Sequence, residues 1–135
     1  MYLQHLHLFH YRNYSNQQID LNRGINIFVG ANGQGKTNLL EAIYYLAMGG
    51  NFRGNKDLEL IEWEQPYFRL LGQMKKDGSE RCYDLEIYVD REKNKQLKIN
   101  GVKYKSMSEL HGYLRVVLFS PDDLKIVKGS PAERR

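Results

Sequence analysis

The stretch VGANGQGKTNLL, at positions 29–40, has the residue types and spacing of a loop that binds phosphate groups. Its central part, Gly30-Ala31-Asn32-Gly33-Gln34-Gly35-Lys36-Thr37, matches the pattern G-x-x-x-x-G-K-[ST] in full. Glycines allow backbone N–H groups to close around phosphate oxygens at the start of a helix, where the helix dipole favours anions. The motif therefore predicts that this loop binds the phosphates of a nucleotide.

Single residues of the loop have separate expected roles. The Lys36 ammonium can reach the β- and γ-phosphates, and the Thr37 hydroxyl can ligate Mg²⁺. Asn32 and Asn38 offer additional amide donors. We expect ATP with Mg²⁺ as the ligand, and Lys36 as the phosphate-binding residue that catalysis would depend on.

A P-loop hydrolase also needs an acidic residue at the end of a second buried strand, where it holds Mg²⁺ and positions water. Asp90 follows a strand-like segment, and Asp122 and Asp123 follow the apolar run LRVVLF. We interpret all three as capping or helix-dipole residues, because of a half-exposed strand in the first case and an intervening Ser-Pro in the second. No LSGGQ-like signature is present in the 135 residues. The sequence therefore predicts nucleotide binding more strongly than hydrolysis.

The elements that must position this loop follow from hydrophobic periodicity. Strands are predicted at 2–9 and 17–21 around a turn at 12–16, and a buried strand at 25–29 leads into the loop. From Lys36 the pattern is that of an amphipathic helix, which Gly49-Gly50 ends with a left-handed cap. Tyr44 and Tyr45 of that helix are interpreted as packing residues.

The remaining sequence predicts mostly strands. Strands are expected at 67–75, 82–90, 96–99 and 102–104, with turns at Asp77-Gly78 and at Asn100-Gly101, the second of type I′. Capping-box spacing predicts a short helix after Ser106, and a second buried strand is predicted at 114–119. A further helix follows from 121 to Gly129, and another helix start lies at 130–135. We expect a lobe at 1–129 and the beginning of a separate helical lobe at 130–135.

Composition limits the possible classes of protein. Hydrophobic residues make up 41% and charged residues 27%, which is typical of a soluble globular domain. The single cysteine, Cys82, excludes an internal disulfide framework and suits a reducing cytosol, so we expect a cytoplasmic protein. The net charge of +4 is mild and is compatible with nucleic acid as a partner.

Positive charge is concentrated in the segment REKNKQLKINGVKYK at 91–105. Its candidate DNA-contacting residues are Lys93, Lys95, Lys98, Lys103 and Lys105. Such contact would be independent of base sequence, because nothing here is typical of a helix that reads the major groove. The alternative is that the lysines only solvate and protect an exposed strand edge.

Three stretches resemble one family of proteins: LHLFHYRNY, INIFVGANGQGKTNLLEAIYYLA and VVLFSPDDLKIVKGSPAERR. They are similar to the N-terminal part of the RecF family, bacterial recombination-repair ATPases of the SMC/ABC superfamily. The resemblance implies an α/β P-loop NTPase head of ABC/SMC type. In it, a mixed sheet surrounds the P-loop helix, and an antiparallel β layer lies beside it.

The resemblance also implies a function. It places Arg12 and Asn13 near the nucleotide, together with the loop residues 30–37. It implies an ATPase stimulated by DNA, an ATP-dependent homodimer, and binding to gapped, single- or double-stranded DNA and to the recombination mediators RecR and RecO. The Walker B acids and the signature motif are then expected beyond Arg135, so these residues alone should turn over little ATP. The alternative function is a protein-interaction module that acts independently of nucleotide.

Overall fold

The computed structural model describes residues 1–30 and 35–119. These form a six-stranded sheet in the order β2-β1-β3-β4-β5-β6, in which every neighbouring pair is antiparallel. The elements are β1 (Tyr2–Tyr11), β2 (Tyr14–Asp20), α1 (Lys36–Met48), β3 (Tyr67–Lys75), β4 (Cys82–Asp90), β5 (Lys95–Ile99) and β6 (Val102–Tyr104), with 3₁₀ turns at Asp57–Leu60 and Met107–Leu110.

Strict alternation of apolar and polar residues gives the central strands one buried face. In β3, Phe68, Leu70 and Met74 are fully buried, and Arg69, Leu71 and Gln73 are half-buried on the opposite face. Strand β4 repeats the pattern with Leu85, Ile87 and Val89. The predicted strands 67–75 and 82–90 are confirmed with the same bounds.

Helix α1 covers the buried face of this sheet. The Tyr45 ring packs edge-on against Phe68 with 5.5 Å between ring centroids, and Leu46 lies directly over Gly72. Because Gly72 has no side chain, the helix can approach the sheet closely at this point. The helix ends as predicted, since Gly49 has a φ of 77° and its N–H donates to the carbonyl of Tyr45.

The predicted turns are also confirmed. Asn100 and Gly101 both have positive φ, 52° and 79°, as a type I′ hairpin turn requires. The Ser106 side chain caps a helix, but it accepts from the Ser108 N–H, and the helix is a single 3₁₀ turn.

The predictions of buried strands at 25–29 and 114–119 are wrong in the described structure. Segment 25–29 forms no strand, and Ile25, Ile27 and Val29 are 87%, 79% and 85% exposed. Segment 114–119 likewise forms no strand, with Val117 96% exposed. The reason is that neither segment pairs with a neighbouring strand, whereas β1 to β6 pair with each other. The predictions for 120–135 and for 31–34 lie outside the described residues.

The antiparallel β layer expected beside the P-loop helix is therefore present. The mixed sheet expected around that helix is not formed by residues 1–30 and 35–119, whose ladders are all antiparallel. None of the helices in these ranges is long and apolar enough to cross a membrane.

Candidate nucleotide-binding site

The end of the phosphate loop meets the start of α1 at Gly35. Gly35 has a φ of 90°, a left-handed conformation that favours glycine, and α1 begins with the next residue, Lys36. The Lys36 ammonium donates to the carbonyl of Gly30, so the lysine side chain reaches back over the loop. Thr37 is exposed in the first turn. Residues 31–34, which complete the motif, lie outside the described residues.

The turn between β1 and β2 packs on Gly35, the last glycine of the motif. A Cβ atom at Gly35 would lie 2.6 Å from Asn13 Nδ2 and 3.1 Å from the Tyr14 hydroxyl oxygen, so only glycine fits there. The Tyr14 hydroxyl donates to the Gly35 carbonyl at 2.9 Å. Asn13 Oδ1 accepts from Asn38 Nδ2 at 3.0 Å. Asn13, which the resemblance placed near the nucleotide, thus lies against the loop.

The side chain of Arg12 points in a different direction from that of Asn13. Its φ is 50°, and its guanidinium points into the protein, where it donates to both carboxylate oxygens of Glu41, at 2.6 and 3.0 Å. The Tyr11 hydroxyl donates to the same carboxylate at 2.6 Å. Arg12 therefore lies beside the loop as the partner of an acid on α1.

Arg12 stays charged because of its hydrogen bonds to Glu41, and Tyr11 stays protonated chiefly because of burial. The hydrogen bond to Glu41 raises the pKa of Arg12 above its usual value, so Arg12 is charged at every physiological pH. Burial, followed by the bond to Glu41, raises the pKa of Tyr11 far above the usual value for tyrosine. Tyr11 is thus a permanent hydroxyl donor.

The chemistry of the donor set decides how Mg²⁺ could be held. Mg²⁺ in nucleotide sites is held by few protein groups together with substrate phosphates. No group of three or more His, Cys, Asp or Glu that could hold a metal exists among residues 1–30 and 35–119. Thr37, which is exposed in the first turn of α1, carries a hydroxyl of the kind that can ligate Mg²⁺.

Asp90 has the structural role that the sequence predicted. It accepts from the N–H groups of Glu92 and Asn94 and from the Asn94 amide, all at 3.0 Å. The Asn94 hydrogen bond lowers the pKa of the Asp90 carboxyl. Asp90 therefore caps the turn between β4 and β5. Asp122 and Asp123 lie outside the described residues.

The structure divides the five lysines proposed for DNA. Lys95 turns toward α1, where its ammonium donates to the Gly49 carbonyl at 2.7 Å and to Asp57 at 3.2 Å. Lys98 lies on the opposite face of the sheet, directly across from Lys103 on β6. Lys93 and Lys105 are exposed in the adjoining turns. Lys95 is thus an internal contact, and the other four remain on the surface.

Glu41 was missed by the sequence analysis. Arg53 was considered there only as an exposed candidate for phosphate or partner contact, yet Arg53 Nε lies 3.4 Å from Glu41 Oε2. The available signal was an acid between the apolar residues Leu40 and Ala42 of the predicted helix. A buried acid requires a cationic partner, and the Arg12 of the preceding turn was the nearest candidate.

Comparisons with known proteins concern the family and the fold of the chain. The AAA domain family model matches residues 5–122. The DNA replication and repair protein RecF of Clostridium acetobutylicum is 46% identical over all 135 residues, which cover 37% of that relative. The solved structure of the recombination mediator protein RecF-ATPrS in the RecFOR pathway superposes with a TM-score of 0.87 at 38% identity, over 98% of this chain and 36% of that one. An SMC ATPase structure from work on ATP-driven dimerization and DNA-stimulated activation has a TM-score of 0.81 at 21% identity, over 99% and 95% of the two chains.

A glycine-rich loop at the start of a helix, beside an antiparallel β layer, is a fold that this chain shares with the SMC ATPase structure. The chain belongs to the AAA domain family. Within it, the resemblance to RecF seen in the sequence is confirmed along the whole chain. The chain spans a little over a third of the length of these relatives, at 36–37%.

Proposed function

We propose that this chain is the ATP-binding part of a RecF-type DNA repair protein, and that it holds ATP with Mg²⁺ through residues 30–37. The observation that carries the proposal is Gly35, left-handed at the start of α1 and enclosed by Asn13 and Tyr14. A side chain at position 35 would collide with Asn13 unless Asn13 moved. The Lys36 ammonium donates to the Gly30 carbonyl at the start of α1, and a lysine at a helix N-terminus suits a chain of phosphates.

Titration calorimetry with ATP and Mg²⁺ tests this proposal. Lys36→Ala and Thr37→Ala should abolish or strongly weaken ATP binding and leave the circular dichroism spectrum unchanged. Lys76→Ala removes an exposed lysine from the turn after β3 and should bind like the wild type. Equal ATP affinity of Lys36→Ala and Lys76→Ala would contradict the proposal.

We also infer that DNA contacts the face of the sheet that points away from α1. Lys98 and Lys103 lie opposite each other on β5 and β6, and Lys105 follows directly. Glu86, which is paired with Lys98 across β4 and β5, has its own cation, since Arg69 donates to it at 2.6 Å. The lysine charges on this face are therefore available to a phosphate backbone.

Binding to a gapped duplex, measured over a range of salt concentrations, tests this surface. Lys98→Glu with Lys103→Glu should weaken binding and reduce the slope of log K against log salt by about one unit per lost phosphate contact. Lys56→Glu with Lys76→Glu changes the net charge equally at exposed positions elsewhere. If both pairs weaken binding equally, the effect is one of net charge and the proposed surface is wrong.

The finer functions implied by the RecF resemblance belong to the same proposal. They are DNA-stimulated ATP hydrolysis, an ATP-dependent homodimer, and recruitment of RecR and RecO. The proposal includes a composite site, in which residues 30–37 supply the phosphate-binding groups and the Walker B acids and signature motif implied by the resemblance supply the rest. We expect the 135-residue chain to bind ATP with little turnover.

Sedimentation with and without ATP and Mg²⁺, followed by addition of RecR, separates this proposal from the interaction-module alternative. Nucleotide-dependent association supports the ATP-driven switch. RecR binding that is indifferent to nucleotide, and to Lys36→Ala, supports the interaction module. Rapid ATP turnover by the chain alone would contradict the composite site.

A further inference from the structure

Glu41 is the single charged side chain that is fully buried in residues 1–30 and 35–119. It lies on α1, one and a half turns after Lys36. Removing an ionised carboxylate from water costs several kcal/mol, and a buried ion pair is often no more stabilising than apolar side chains of similar volume. A contribution to the stability of α1 alone therefore does not explain why the Glu41 carboxylate is buried, given the free-energy cost of removing it from water.

The groups around Glu41 carry more positive than negative charge. Tyr11 and Arg12 donate to its carboxylate from the end of β1, and Arg53 approaches it at 3.4 Å from the loop after α1. Two guanidinium groups thus surround one carboxylate. The side chains of Arg12 and Arg53 are 20% and 30% exposed, so the excess positive charge lies near the surface.

The ion pair between Glu41 and Arg53, followed by two hydrogen bonds, leads from Glu41 back to Gly35 at the end of the phosphate loop. Arg53 Nη1 donates to Asn38 Oδ1 at 3.1 Å, and Asn38 Nδ2 donates to Asn13 Oδ1 at 3.0 Å. Asn13 packs on Gly35 and follows Arg12 in the chain. Arg12 donates to Glu41, which closes the path. The result is a closed ring that contains Asn38, the residue that follows Thr37 of the motif.

We propose that Glu41 is a positioning residue for nucleotide binding. It has no contact with the phosphates. Instead it holds Arg12 and Arg53, and through them it keeps Asn13 against Gly35 and Asn38 in place in the first turn of α1. The same ring leaves a net positive charge beside the loop. This inference rests on the proposed binding of ATP at residues 30–37.

Glu41→Gln tests the role of the carboxylate, because it keeps the shape and removes the charge and one of the two acceptor atoms. We expect ATP affinity to fall about tenfold, the size of one lost charge-assisted hydrogen bond. Tyr45→Phe is the matched control on the same helix. It removes the 2.9 Å bond to Asp57 and has no link to the ring, so ATP affinity should not change.

A double-mutant cycle with Asn13→Ala distinguishes positioning from general stability. If Glu41 acts through the ring, Asn13→Ala should weaken ATP binding several-fold in the wild type and less than about twofold in Glu41→Gln. Additive losses, or wild-type affinity in Glu41→Gln, would overturn the inference. If Glu41→Gln does not fold, Arg12→Lys replaces it in the cycle, because lysine keeps the positive charge but cannot bind both carboxylate oxygens as arginine does. The same outcomes then support or overturn the inference.

Failure of the proposed function gives a different result. In that case the wild type and Lys36→Ala show the same ATP affinity, and the positioning role falls with it. If instead Lys36→Ala loses ATP and the cycle is additive, the phosphate loop stands and only the role of Glu41 is wrong.

Discussion

Strand β3 and segment 25–29 were both predicted as strands, yet β3 lies at the centre of the core and three apolar side chains of the segment are exposed. Leu70 of β3 is fully buried, whereas Ile27 is 79% exposed. Strand β3 alternates, so one covering layer, α1, is enough for it. Segment 25–29 has apolar residues on both faces, a pattern typical of strands that are covered on both sides. Within the described chain, strands β1 to β6 and helix α1 bury one another's apolar faces, and we call them the self-sufficient layer. Segment 25–29, which leads into the phosphate loop, is not covered in this way.

The largest expected effect comes from removing a side chain of the self-sufficient layer. Leu70→Ala leaves a cavity between β3 and α1 and should lower the free energy of unfolding by about 2–5 kcal/mol. Ile27→Ala deletes a similar side chain from the exposed segment and should change it by less than about 0.5 kcal/mol. Urea unfolding of both variants checks this. Similar losses at the two positions would show that Ile27 is buried in solution.

A smaller effect is expected where α1 touches the sheet. Gly72→Ala places a methyl group against Leu46, whose side chain is fully buried, and should cost about 1–3 kcal/mol. In a Leu46→Ala background the methyl group enters the space that the leucine occupied, so the same change should cost less. Urea unfolding of the two single variants and the double variant measures this coupling. Equal costs in both backgrounds would mean that the helix sits elsewhere.

Local sequence was sufficient to predict the self-sufficient layer. Strands 67–75 and 82–90 alternate over nine residues each, and Asn100-Gly101 fixes the turn of the last hairpin, so pattern and turn chemistry agree. The two exposed segments were predicted as buried strands for an equally valid reason, since runs such as LRVVLF usually lie in a core. Periodicity reveals which faces are apolar. It does not reveal whether the described chain supplies a cover for them.

Local sequence was likewise insufficient to predict the tertiary contacts of the nucleotide-binding site. The loop motif and its helix were predicted because their residues are adjacent in sequence. The ring that joins Arg12, Glu41 and Arg53 depends on side-chain directions across three elements. Both positive φ at Arg12 and the burial of Glu41 result from tertiary packing, which no local pattern encodes.

A pH-dependent contribution is expected at the edge of the self-sufficient layer, where Glu62 binds Ser15 and His10. The hydrogen bond from Ser15, followed by that from His10, lowers the pKa of Glu62 below its ordinary value of 4.5. Because the folded pKa is lowered, ionised Glu62 stabilises the fold above about pH 4.5, and this contribution is lost as the pH falls further. Thermal unfolding of wild type and Glu62→Gln should differ by less than about 1 kcal/mol near neutral pH. The difference should shrink toward pH 3, and a constant offset would contradict the assignment.

The smallest effect on stability is expected in segment 114–119, where the solution behaviour should nevertheless change most. Val117 is 96% exposed and Phe119 71%, so Val117→Lys loses no buried contact and should alter the free energy of unfolding by less than about 0.5 kcal/mol. Exposed apolar side chains such as those of Val117 and Phe119 favour intermolecular strand pairing, and a lysine opposes that pairing. Light scattering during heating should therefore show a higher aggregation temperature for Val117→Lys than for wild type. Val102→Lys, at a 57% exposed position within the paired strand β6, is the control and should have a weaker effect. If Val117→Lys instead destabilises the fold by several kcal/mol, segment 114–119 is covered in solution, and the contrast between the two regions disappears.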